Sequence, residues 1–140
     1  MYRTSAIIVA RLIFAAVFGI AMVFKFTNMP GTAALIAAAG FPAPQLLAWA
    51  AALFEVGLLF AFLTGVYFRE AAMLAAAYVL FLAFAFHGPS HWAGNQMEMG
   101  NFISHFPFLA GLLLAAVTGP GELLVVRGPG RQKQSQPTAD

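Results

Sequence analysis

Residues 44–63 read PQLLAWAAALFEVGLLFAFL, and this stretch decides the fold. About twenty residues of helix rise ~30 Å at ~1.5 Å each, the thickness of a bilayer's hydrocarbon layer. One ionisable residue, Glu55, stands near its middle. An ionised side chain at that depth costs at least ~2.5 kcal/mol, so it requires a partner, a water-filled cavity or a bound proton. The plain alternative is a carboxyl that stays protonated and is merely tolerated. Ala48, Ala51, Ala52 and Glu55 fall on one face, a small-residue surface of the kind that lets membrane helices approach closely. Glu55 is therefore expected to point at a neighbouring helix.

Composition agrees with that reading. Hydrophobic residues make up 61% of the 140-residue chain, charged residues 9%, and the mean hydropathy is +0.83; soluble domains carry about a quarter charged residues. This is the composition of an integral membrane protein with room for one bundle. The pI of 9.4 comes from a few cations in loops and tail, which speaks to membrane orientation and not to nucleic acid. With no cysteine, disulfides, a thiol nucleophile and thiolate-ligated zinc or iron–sulfur clusters are excluded.

Three further apolar segments follow from the same logic. Residues 5–26 are too long for a signal peptide, contain Arg11 and meet no small-residue cleavage site before Lys25, so they read as a retained first span. Offsets of seven, eleven and fourteen residues return near one azimuth, which puts Arg11, Phe18, Met22 and Lys25 on one inward face. Asn28, Pro30 and Gly31 stop this helix, and Gly40, Pro42 and Pro44 punctuate entry to the next. Between them, residues 32–39 are too short to span and too apolar to float in water, so a small interfacial helix is expected. Residues 70–87 and 102–118 complete the set. The expected fold is all-α: a polytopic antiparallel bundle of four transmembrane helices with a short interfacial helix between the first two. Residues 1–126 form this domain. Within it, Leu123 to Val126 either extend the last helix or lie at the surface. Residues 127–140, rich in Gly, Pro, Gln, Ser and cations, read as a disordered cytoplasmic tail.

Placing Arg3, Arg69, Arg127, Arg131 and Lys133 inside leaves only Lys25 outside, so the positive-inside rule favours a bacterial inner membrane with both termini cytoplasmic. Two constellations then invite chemistry. Arg11 lies ~9 Å and Glu55 ~12 Å from the cytoplasmic ends of their helices at the helical rise, which predicts an intramembrane Arg11–Glu55 ion pair. At the outer end, Lys25, His87, His91, Asn101 and His105 gather at similar depth. Imidazoles there suit a quinone carbonyl, a proton relay, or a metal or haem iron; without a ligand-spacing signature, no metal is expected. The bland reading is that these groups cap helices and meet headgroups, with Trp92 in the interfacial aromatic belt.

Taken together, Arg11, Phe18 and Lys25, the Gly40-Phe41-Pro42 turn, Glu55, Gly65 with Arg69, His87, the Asn95-Gln96-Met97 loop and the closing Gly119-Pro120-Gly121 resemble the DoxX family of small bacterial four-helix membrane proteins. The family's fourth helix usually begins Phe-x-Lys-Asn, whereas here Phe102 is followed by Ile103, Ser104 and His105. The resemblance implies a membrane subunit of an oxidoreductase complex, linked to quinone and to redox or oxidative-stress metabolism. Quinone would be a substrate, with no cofactor held within the chain. The partners implied are the lipid bilayer and an oxidoreductase subunit, and homo-oligomers stay open. A non-catalytic scaffold that recruits or stabilises other proteins is the alternative, so whether the chain is itself an enzyme is left open.

Overall fold

The structure, a computed structural model, describes residues 2–126, apart from the side chains of residues 2 and 3. The expected tail, 127–140, lies outside the described residues. The described residues form helices α1 (Tyr2–Thr27), α2 (Met29–Ala38), α3 (Pro44–Thr64), α4 (Phe68–His87) and α5 (Gln96–Thr118), with a single 3-10 turn at Pro89–His91. Four of them are long and apolar enough to cross a membrane. This is the expected all-α architecture of four spans and one short helix.

Each boundary has a local cause. Asn28 ends α1 and caps α2, its side-chain oxygen accepting from the Gly31 amide at 3.1 Å. A Cβ on Gly31 would lie 2.4 Å from the Asn28 amide nitrogen, so a side chain there would push the Asn28 cap from its present position. Gly65 closes α3 with φ 74°, and the chain reverses through Tyr67 into α4. The start of α5 differs from expectation: it begins at Gln96, not at residue 102. Asn95 caps it by accepting from the Glu98 amide at 3.4 Å, a side-chain cap that carries the helix back through a polar first turn.

The helices run antiparallel in sequence. Ascending α1, residues 11, 19 and 25 meet Phe62–Leu63, Leu59 and Glu55 in descending order along α3. The main packed pairs are α1 on α3 and α4 on α5, and α2 lies against α3. Lipid tails are as apolar as leucine, so close van der Waals packing holds such helices together. Here that packing is alanine against phenylalanine. Ala71, Ala72, Ala75 and Ala76 of α4 are buried and let the neighbouring backbones approach. Phe14 and Phe18 of α1, Phe62 of α3 and Phe108 of α5 fill the centre, with ring centroids 5.4–5.7 Å apart. A second apolar cluster, Met29, Ala33 and Ile36 against Ala48 and Ala52, seats α2 on α3.

Candidate functional site

Among the described residues, two polar side chains are buried, Arg11 and Glu55. They do not pair. Glu55, with a side chain 2% exposed, takes both oxygens to the Lys25 ammonium, at 2.7 Å to Oε1 and 2.9 Å to Oε2. The Tyr78 hydroxyl of α4 also donates to Oε1, at 3.0 Å. The Tyr78 ring rests edge-on against Phe54, centroids 5.1 Å apart. One carboxylate thus binds three helices, α1, α3 and α4.

The expected Arg11–Glu55 pair is corrected by the lean of helical side chains. Every Cα–Cβ bond tilts toward its own helix's N-terminus, so on antiparallel neighbours the side chains of Arg11 and Glu55 lean apart. Those of Lys25 and Glu55 lean toward each other. The register adds to this: Arg11 faces Phe62 and Leu63, seven and eight residues along α3 from Glu55, ~10–12 Å at the helical rise. Matched depth, counted from helix ends, was not enough.

Arg11 instead spends all its donors on backbone. Its Nε donates to the Phe62 carbonyl at 3.2 Å, and one terminal nitrogen to Leu63 at 2.9 Å and Leu124 at 3.1 Å. The other donates to Pro120 at 3.1 Å and Leu123 at 2.8 Å. A guanidinium carries five N–H groups in a fixed fork, and all five are used. The carbonyls at the C-terminus of α3 are unpaired within the helix and carry its negative dipole end, so they suit a cation without any carboxylate. Phe68 lies beneath the guanidinium at 5.9 Å. Leu123 to Val126 therefore do not extend α5 but lie at the surface, with Leu123, Leu124 and Val126 exposed. They fold across the end of the bundle, where the Val126 amide donates to the Thr64 carbonyl at 2.9 Å.

At the opposite end, the outer cluster is partly assembled. His87 Nδ1 lies 2.5 Å from Glu98 Oε2, and the His87 and His105 rings sit side by side with centroids 5.3 Å apart. His105 Nδ1 donates to the Asn101 carbonyl at 2.7 Å. The Trp92 indole donates to the His87 carbonyl at 2.8 Å and packs on Phe102, closing the end of α4. Lys25 is not part of this group, being committed to Glu55. His91 is exposed, with Ser90 Oγ at 3.4 Å from its ring. An apolar crevice between α4 and α5 is lined by Leu80, Ala83, Phe106, Leu109 and His105, and it is too tight for a water molecule. Among the described residues, no three His, Asp or Glu side chains are gathered as metal ligands would be.

Sequence reasoning missed Tyr78 and Glu98. Tyr78 is the one polar side chain between Glu70 and His87, and a phenol in an apolar run needs an acceptor; that signal was available. Glu98 carried no such signal, because it faces His87 only once α5 begins at Gln96.

Fold and polar interior together define a small polytopic helical membrane protein. A model of the DoxX family matches residues 6–88, more than half of the chain, and the protein belongs to that family. The match covers α1 to α4; the outer histidine His105 and the Gly119–Gly121 turn lie beyond it. No curated protein and no solved structure matches the chain.

Proposed function

We propose that this DoxX protein is the membrane subunit of a quinone-linked oxidoreductase complex in a bacterial inner membrane. The observation that supports it is the His87–Glu98 pair beside His105 at the outer ends of α4 and α5. Reducing a quinone to its hydroquinone consumes two electrons and two protons. A partner subunit would carry the redox centre and supply the electrons. The protons would pass through the imidazoles: protonated, His87 keeps one N–H on Glu98 and has the other, at Nε2, to give to a quinone oxygen. Glu98 accepts from Nδ1 and so holds the ring in place. The tight crevice beside His105 means that a headgroup enters only as the lining side chains move apart.

The test is a quinone-reductase assay on the purified protein with ubiquinone and menaquinone analogues and candidate reductants, alone and with partners encoded beside it. The reading expects quinone-dependent turnover or binding that disappears in His87→Ala while the fold persists. A second reading has its own support. Every buried side-chain nitrogen and oxygen among the described residues is satisfied, so the polar interior can be wholly structural and the protein a scaffold that recruits or stabilises others. A His87→Ala protein that folds, still binds its partners and shows no altered quinone signal favours the scaffold.

A further inference from the structure

Taking the outer cluster as a quinone-headgroup site, we infer that it is built to hold the reduced form, a hydroquinone whose hydroxyls donate to the Nε2 atoms of His87 and His105. The inference rests on the proposed function and adds a chemical class to it.

The tautomers follow from the partners. A backbone carbonyl can only accept, so the 2.7 Å contact to Asn101 fixes the proton of neutral His105 on Nδ1. An ionised carboxylate can only accept, so the 2.5 Å contact to Glu98 does the same for His87. In a neutral imidazole one nitrogen donates and the other accepts. Both rings therefore carry a bare Nε2 lone pair, and the rings are neighbours, 5.3 Å between centroids. A quinone carbonyl offers such a nitrogen nothing, because both are acceptors. A hydroquinone hydroxyl donates to it directly. Discrimination follows, since the wrong partner leaves the ring nitrogen and the carbonyl without a hydrogen bond between them. The crevice lined by Leu80, Ala83, Phe106 and Leu109 beside His105 is apolar apart from that ring, so once those side chains move apart it offers an aromatic diol a hydrocarbon-lined seat.

The test uses the whole protein in nanodiscs, held anaerobically in mildly alkaline buffer above the ordinary imidazole range. It is titrated with a short-chain benzohydroquinone, the matching quinone and the hydroquinone's mono-methyl ether, and binding is read by equilibrium dialysis. The hydroquinone should bind at least ~10-fold tighter than the quinone, a difference of about 1.4 kcal/mol, with the ether between them. Nitrogen-15 spectra of histidine-labelled protein should show His87 and His105 protonated at Nδ1 when free, and their Nε2 signals should move only with the hydroquinone. His105→Phe should erase most of the preference; the ether comparison and the spectra decide the matter in wild-type protein if that variant does not fold. Equal or tighter binding of the quinone, or a proton on Nε2 in the free protein, overturns the inference and leaves the quinone site standing. Binding of neither form removes the site and the inference together.

Discussion

Glu55 is the residue on which three helices converge, and its partners set what a substitution does. A buried ion pair need not stabilise a fold more than an apolar pair would, but removing one partner leaves the other stranded. Lys25→Met alone, or Glu55→Leu alone, should therefore lower stability by ~3 kcal/mol or more, and the double change should recover much of that loss. Arg11→Leu combined with Glu55→Leu should give additive losses, because the two groups share no bond. Reversible unfolding in detergent measures all of these, and coupling between residues 11 and 55 instead of 25 and 55 would contradict the geometry. Tyr78→Phe deletes one hydrogen bond to a charged acceptor and should cost ~1.5 kcal/mol, with the loss vanishing in a Lys25→Met/Glu55→Leu background. That Glu55 would have a partner was legible in the sequence. The partner's identity was not, because it depends on the direction in which side chains lean across an antiparallel seam.

At the scale of elements, the end of α3 and the segment after α5 form one unit through Arg11. Lysine has three donors on a point charge and cannot reproduce a five-donor planar fork. Arg11→Lys should thus behave nearly as badly as Arg11→Leu in releasing residues 120–126. Hydrogen exchange at the Val126 amide, which donates to Thr64, should accelerate in both variants, and unchanged protection in Arg11→Lys would show that charge alone suffices. Gly65 belongs to the same unit: its φ is 74°, and an added Cβ would come within 3.2–3.3 Å of Val125 and Pro120. Gly65→Ala should cost ~1–2 kcal/mol from the left-handed backbone alone and should also speed exchange at Val126. A mutant with native stability and native exchange would mean that the segment is not seated there. The sequence marked Gly119, Pro120 and Gly121 as a break; the return of the chain onto Arg11 was beyond it, since carbonyl acceptors have no sequence identity.

For the whole molecule, the open question with a direct measurement is orientation. The structure adds a reason to the loop-charge argument: the ammonium of Lys25, 20% exposed, is bound to Glu55, so it is not a free cation in a loop at its end of the bundle. The end that carries Arg69 is then the more basic, and by the positive-inside rule we propose that this end faces the cytoplasm. Reporter fusions truncated after Gly65 and after Gly130 should report a cytoplasmic position, and one after Gly94 an external position. An external signal from the Gly130 fusion would invert the proposal, and with it the side of the membrane on which the His87–His105 group lies.

By itself, the sequence determined the number of spans and their inward faces, though not the polar first turn with which α5 begins, since twenty-residue apolar runs and a helical period of 3.6 are local properties that no tertiary contact has to supply. It also determined that Arg11, Lys25 and Glu55 point into the bundle. Only the tertiary structure decided who meets whom: Lys25 and Tyr78 take Glu55, backbone carbonyls take Arg11, and Glu98 takes His87. Pairing depends on register between helices and on the tilt of each side chain toward its own N-terminus. Those quantities are set when α1, α3, α4 and α5 pack together and are written in no one of them alone.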